Sequence, residues 1–265
     1  MDGPDLVRRV AGAVLAVAVF GLLSTLTPAE VRVRPVARTE PAKPRPVVPP
    51  KPPPPDCARV KCLALTFDDG PAESTAELLD VLAARKVRAT FFIVGENAAR
   101  HPELVRRELE AGHELADHGY THADLGKASR ETIMSELTRT QEAIRRASGF
   151  TPVLLRPPYG STSRRLTKIT RELGLAQVLW TVDPLDWEHR DTSYVEKRVL
   201  KAARPGAIVL MHDIHRTSVK AVPKIIDRLA AEGYVFVTVP ELFGGRLTPG
   251  EEYVERESGD PQGLP

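Results

Sequence analysis

From Val60 onward, short runs of apolar and β-branched residues alternate with longer stretches of helical period. Leu63–Phe67, Thr90–Val94, Glu114–Ala116, Val153–Leu155, Gln177–Thr181, Ala207–Met211 and Val235–Val239 read as strands. Between them, Ser74–Lys86, Pro102–Ala111, Arg130–Ala147, Arg164–Leu173, Tyr194–Ala203 and Val219–Ala231 read as helices. Ser74, with Glu77 three residues on, predicts an N-cap. Ile133, Leu137 and Ile144 fall on one face of the longest helix. Seven or eight such β–α units in about 185 residues predict a parallel sheet with helices outside, closed into a compact, irregular β/α barrel. A doubly wound open sheet is the competing architecture.

In both architectures, sites form at the C-terminal ends of the strands. The polar residues that stand out fall there. Asp68 and Asp69 end the first strand, and His118 and His122 follow the third. Arg156 ends the fourth, Asp183 and Asp186 the fifth, and His212 the sixth.

The chain ahead of Val60 has a different pattern. Arg8 and Arg9 precede an uncharged apolar run from Val10 to Leu26. As a helix this run would rise about 25 Å, slightly short of a bilayer core. It reads as a secretion signal or a short uncleaved anchor. Eleven prolines lie between Thr27 and Asp56, Pro52 to Pro55 in a row. Such a segment builds no core and is expected to be extended and polyproline-like. The organisation that follows is a signal or anchor at 1–29, a Pro-rich linker at 30–57, a folded domain at 58–245 and a C-terminal tail at 246–265.

Charge adds little. The formal net charge is +2, which makes no case for nucleic acid. Residues 1–62 carry ten Lys/Arg against five Asp/Glu, so the remainder stands at −3. A basic stem suits anionic wall polymers or lipid headgroups, and simple solvation of a linker explains it equally. The two cysteines, Cys57 and Cys62, would meet an oxidising compartment on export, where a disulfide can pin the linker to the first strand. Two free thiols are the alternative.

Asp69, His118 and His122 offer one carboxylate and two imidazoles, a donor set that leaves positions on zinc open for water and substrate. The spacing His-x-x-x-His alone is a weak signal. The adjacent Asp68-Asp69 pair strengthens it, because Gly70-Pro71 ends the strand and lets both acids approach one site. A cation then holds one carboxylate while the other stays free as a base.

These residues carry a family resemblance. Thr66-Phe67-Asp68-Asp69-Gly70-Pro71, His118-Gly119-Tyr120-Thr121-His122, Arg156-Pro157-Pro158-Tyr159-Gly160, Asp183-Pro184-Leu185-Asp186-Trp187 and Leu210-Met211-His212 stand in order between about Cys62 and Leu242. In this the chain resembles the polysaccharide deacetylases of carbohydrate esterase family four, the NodB-homology domain. The resemblance implies a distorted (β/α)7 barrel with parallel strands. It implies Asp68 as general base, Arg156 as its orienting partner, His212 as general acid and Asp186 as the residue that tunes it. Asp69, His118 and His122 are implied as ligands of a divalent metal, Zn2+ first, with Co2+ or Ni2+ accepted. Pro157, Tyr159, Trp187 and Leu210 are implied as substrate contacts, Tyr159 through its backbone N–H. One position departs from the pattern. Gly119 stands where the family has Ser or Thr, whose hydroxyl braces the metal loop. His101, His113, His189 and His215 are read as structural or surface residues.

The expected activity is hydrolysis of acetyl groups from N-acetylglucosamine in peptidoglycan or a chitin-like chain, outside the cell or at its surface. An O-acetyl esterase acting on xylan, and a wall-binding module without catalysis, are the alternatives. The expected partner is an acetylated cell-wall polysaccharide and not nucleic acid, with the N-terminal segment a candidate for membrane association.

Overall fold

The computed structural model describes residues 55–245 and 247–256. The apolar run at 10–26 and the linker up to residue 54 lie outside the described residues. Among those described, no helix is long and apolar enough to cross a membrane.

The strands are β1 (Lys61–Asp68), β2 (Thr90–Ile93), β3 (Glu114–Asp117), β4 (Leu154–Leu155), β5 (Ala176–Val178), β6 (Ile208–His212), β7 (Tyr234–Val237) and β8 (Glu252–Tyr253). The helices are α1 (Glu73–Arg85), α2 (Gly95–Arg100), α3 (Pro102–Glu110), α4 (Arg130–Ser148), α5 (Arg164–Leu173), α6 (Asp186–His189), α7 (Thr192–Ala202), α8 (Arg216–Ala231) and α9 (Val239–Leu242). The sheet runs β6-β1-β2-β3-β4-β5-β8, and β7 pairs with the N-terminal half of β1. These strands pair in parallel. Past β5, Val182 bridges Val209 of β6, and at the other end Glu255 pairs antiparallel with Ala207. The sheet therefore curls back towards its first edge as a distorted (β/α)7 barrel, not an open doubly wound sheet.

Strand β1 shows why the sequence folds this way. It is buried on both faces, as a parallel strand with helices outside must be. Leu63, Leu65 and Phe67 join the outer core with Leu78 and Leu82 of α1 and Val222 and Leu229 of α8. Cys62 and Ala64 point the other way, into an inner cluster with Phe92, Ala116, Ala176 and Ile208. The period of two continues up the strand, so Thr66 and Asp68 share the inward face with Ala64.

Three details differ from the sequence expectations. Ser74 does not cap α1; the N-cap is Ala72, whose N–H donates to Thr75 Oγ1 at 2.8 Å. The chain enters the helix earlier than read, and Ser74 Oγ instead donates to the Asp213 carbonyl at 2.5 Å. Helix α2 was not anticipated, because its glycine start and six-residue length give no usable period. The stretch from 246, read as a tail beyond the domain, supplies β8 and buries Tyr253 against Phe243, ring centroids 4.9 Å apart. A two-residue strand is too short to carry an alternation that could be read. As expected, Cys57 and Cys62 are joined in a disulfide, with Cα atoms 5.3 Å apart.

Because Tyr253 is buried and its hydroxyl accepts from the Thr248 N–H at 2.8 Å, Tyr253→Ala is expected to cost about 3 kcal/mol. Urea denaturation checks it, and an unchanged midpoint would mean that this segment contributes nothing to the fold.

Candidate active site

The C-terminal ends of β1, β3, β4 and β6 and the loops after them and after β5 converge on one cleft of about 490 Å3. It is lined by Asp68, Asp69, His118, His122, Pro157, Tyr159, Trp180, Asp183, Trp187, Leu210 and His212. Every residue singled out for catalysis, metal or substrate is therefore at this cleft except Arg156 and Asp186, which are fully buried behind it.

The two adjacent acids reach the same space because the strand stops between them. Asp68 is the last residue of β1 and faces inward. Asp69 takes φ 75°, a left-handed conformation that Asp tolerates better than most residues, ahead of the cis Gly70-Pro71 bond. That backbone turn brings Asp69 to the side of its neighbour where an extended strand would have sent it to the opposite face.

Arg156 holds Asp68 from below. Its Nη1 donates to Asp68 Oδ1 at 2.6 Å and to Thr66 Oγ1 at 2.8 Å. Nε donates to the Val178 carbonyl at 3.2 Å and Nη2 to that of Leu179 at 3.0 Å. The guanidinium also lies over the Phe92 ring, 4.0 Å from its centroid. Burial pulls the Arg156 pKa down, and the Asp68 carboxylate opposes that.

Asp69 Oδ1 lies 3.4 Å from His118 Nε2 and 3.3 Å from His122 Nε2. The three ligand atoms fall within 4.8 Å of one another. Two observations fit a divalent cation between them. Asp69 Oδ1 is buried with no hydrogen-bond partner among the described residues. His118 Nδ1 sits 2.7 Å from the Arg156 carbonyl, which can only accept, so Nδ1 carries a proton and Nε2 is the ring atom turned to Asp69. His122 is oriented through Nδ1 as well, 3.2 Å from the Tyr159 hydroxyl. Burial pushes the Asp69 carboxyl up, but His118 beside it, with His212 and His122, outweighs this and holds it at about 2. The carboxylate is thus kept ionised.

His212, the register partner of Asp68 on β6, lines the same cleft. Its Nδ1 is 2.8 Å from Asp186 Oδ1, and its backbone N–H donates to Asp186 Oδ2 at 2.8 Å. Ser218 Oγ donates to the same Oδ2 at 2.6 Å. Burial lowers the His212 pKa, yet Asp186, then Asp68 and Asp69, more than reverse it and raise the imidazole to about 9. Leu185 ahead of Asp186 adopts φ 56°, and Asp183 Oδ1 takes the Leu185 N–H at 2.7 Å, a turn that aims Asp186 inward.

Three contributors had not been singled out. Trp180 walls the cleft and packs on Gly160, where a Cβ would come within 3.0 Å of the indole; its place just past β5 was the available signal. Ser218 and Glu136 carry no local motif. His113 is buried and structural, accepting the Ala89 N–H at 3.1 Å, and burial followed by the charge of Arg88 pushes it down to about 4.

A family model described as polysaccharide deacetylase matches residues 56–178. A solved structure described as T48 deacetylase with substrate is 44% identical, covers 75% of this chain and 98% of that one, and superposes with a TM-score of 0.72. The chain belongs to the polysaccharide deacetylase family. Among its relatives is the peptidoglycan-N-acetylglucosamine deacetylase PgdA of Listeria monocytogenes, 41% identical over 197 residues. That alignment covers 74% of this chain and 42% of the relative, so the chain spans about two fifths of that protein's length. The chitooligosaccharide deacetylase of Bradyrhizobium sp. is 36% identical over 203 residues, which cover 71% of this chain and 93% of that one.

The buried pair at the base of this cleft sets a stability test. Arg156→Met leaves Asp68 buried without its cation and is expected to cost about 3–5 kcal/mol. Guanidinium denaturation at neutral pH measures it, and a loss under about 1 kcal/mol would mean the pair is far better solvated than its burial implies.

Proposed function

We propose that the chain is a metal-dependent N-deacetylase that hydrolyses acetyl groups from N-acetylglucosamine residues of a cell-wall polysaccharide, peptidoglycan ahead of chitin-like oligosaccharides. The observation that carries this reading is that two firmly held proton-transfer groups line the same cleft as one candidate cation site. Asp68 is fixed by Arg156, and His212 is fixed by Asp186.

Asp69, His118 and His122 hold the cation, and their mixed carboxylate and imidazole donors favour zinc, with cobalt or nickel as substitutes. When bound, the cation lowers the pKa of water and offsets charge on the reacting carbonyl oxygen. Asp68 takes the proton of the attacking water through Oδ2, since Oδ1 is engaged by Arg156. The N–H groups of Gly160 and Ser161 donate to Pro157 and Pro158, and the Tyr159 N–H is not among those bonded in this turn. It is the backbone donor for the oxyanion. The leaving nitrogen needs a proton, and His212 Nε2 supplies it because Nδ1 is committed to Asp186. Leu210 and Trp187 are walls of the acetyl pocket, and the half-exposed Trp187 and exposed Tyr159 offer flat faces to sugar rings.

The reading includes export and a place at the cell surface. Its support is the Arg8-Arg9-led apolar run, the proline-rich stretch and the Cys57–Cys62 disulfide.

Acetate release from peptidoglycan, chitooligosaccharide and acetylated xylan, assayed side by side, tests the proposal. Release from the two N-acetylated substrates is expected, with loss on chelation and recovery on adding zinc; release from xylan alone would move the assignment to an O-esterase. Asp68→Asn is expected to lower the rate by about 10²–10⁴ while zinc stays bound, and full activity in that variant sinks the proposed base.

The acid has its own signature in pH. His212 must be protonated to act, so activity should fall as pH rises through about 9. Asp186→Asn removes the main cause of the raised value, and the alkaline limb of kcat/KM should then move down towards about 6.5. A limb that stays in place would assign the acid to another group.

A further inference from the structure

The loop between the two proposed metal-binding histidines has its backbone almost completely engaged, and its main anchor is a glutamate from a helix that never enters the cleft. Glu136 lies within α4 and is buried, at 5% exposure. Its Oε2 accepts the N–H groups of both Tyr120 and Thr121 at 2.8 Å, and its Oε1 accepts the Thr121 hydroxyl at 3.0 Å. The remaining N–H, that of Gly119, donates to Asp117 Oδ1 at 2.8 Å. From the other side the Gly95 and Glu96 N–H groups at the start of α2 donate to the carbonyls of Gly119 and Tyr120 at 2.9 and 3.0 Å. The Tyr120 ring is wedged between Gly95, where a Cβ would come within 2.4 Å of it, and the Arg139 guanidinium, 3.6 Å from its centroid.

Three successive N–H groups turned towards carboxylates form a concave anion-binding turn, here filled by the protein's own side chains. The left-handed φ of Gly119, 77°, allows the turn, as does that of His122, 61°. A buried carboxylate without a basic partner is costly unless its oxygens are fully hydrogen-bonded, and the three donors of this loop do that for Glu136. Register adds a second argument. The Tyr120 and Thr121 peptides lie between His118 and His122, so a bond that fixes them fixes the separation of the two imidazoles. Gly119, which lacks the hydroxyl the family uses as a brace, sits 3.4 Å at its notional Cβ from Glu136 Oε2.

We infer that Glu136 is the positioning residue of the metal-binding loop, replacing from outside the brace that Gly119 cannot provide and presetting His118 and His122 for a divalent cation before it arrives. This rests on the reading of Asp69, His118 and His122 as the ligands.

The test is zinc affinity of the metal-free protein, by competition with a chromophoric chelator, alongside folded-state checks by circular dichroism and thermal melting. Glu136→Ala is expected to weaken zinc binding by about 10–100-fold, the range found when a group supporting a ligand is removed. Glu136→Gln keeps one oxygen for the two N–H groups and should stay within about threefold of the parent. Saturating zinc should return most of the kcat of Glu136→Ala, because neither Asp68 nor His212 touches this residue. Equal affinity in a folded Glu136→Ala overturns the brace alone. A Gln variant as weak as the Ala variant also overturns it, since the loss would then follow charge and not hydrogen bonding. Parent protein that takes up no zinc overturns the ligand reading beneath it. Should Glu136→Ala fail to fold, amide hydrogen exchange in the metal-free parent decides: protected Tyr120 and Thr121 amides are expected, and exchange at the rate of an exposed loop overturns the proposal.

Discussion

Arg156 is the residue on which both halves of the site depend. Its side chain, buried at the end of β4, meets the Asp68 carboxylate, while its backbone carbonyl receives the Nδ1–H of His118. Its own N–H donates to the Asp117 carbonyl at 3.0 Å, tying β4 to β3 immediately before the metal loop. A guanidinium in this position would be unfavourable by several kcal/mol without partners. Four donor contacts and the face of Phe92 make it tenable. The same contacts fix the base and the first histidine relative to one another, because a single residue holds both. A lysine could supply the charge but not the fork that reaches Asp68, Thr66, Val178 and Leu179 together.

The pair of Asp186 and His212 follows a different logic. Asp186 sits at the start of a short helix and is fully buried, yet it collects the His212 ring, the His212 backbone N–H and the Ser218 hydroxyl. A carboxylate satisfied this thoroughly stays ionised and sustains the positive charge on its imidazole. Asp68 is therefore an anion held by a buried cation, and His212 a cation held by a buried anion. The same cleft holds the Asp69 oxygen with no partner among the described residues.

How much of this was legible in the sequence depended on the range of the signal. Strands β1 and β6 were the clearest in the sequence as apolar runs, since a parallel strand covered on both faces has few polar positions to interrupt it. Helix α4 was visible through Ile133, Leu137 and Ile144, all buried as expected. The five motifs located the cleft, because strand ends place chemistry there. What the sequence hid were pairings between distant segments. Glu136 looks like an ordinary polar residue on a surface helix; only the approach of the loop at 119–121 shows that its carboxylate is an internal acceptor. Ser218 is hidden for the same reason. Ser74 was misread because Ser-x-x-Glu is a local pattern, while the chain's entry into α1 is set by Thr75 and by Asp213 from the other end of the domain.

Strand β8 has a consequence for how the chain reaches this state. Residues 252–256 lie along β5 on one side and meet Gly206 and Ala207 ahead of β6 on the other, where the Arg256 N–H donates to the Gly206 carbonyl at 2.9 Å. The gap between these two strands is thus covered by the segment of the described chain that a ribosome delivers last. Until then β5 and the foot of β6 present uncovered backbone edges, the kind of surface through which sheets join one another. The upper end of the ring meets through Val182 and Val209 without this segment, so what must wait until synthesis has passed residue 256 is the covering of its lower end.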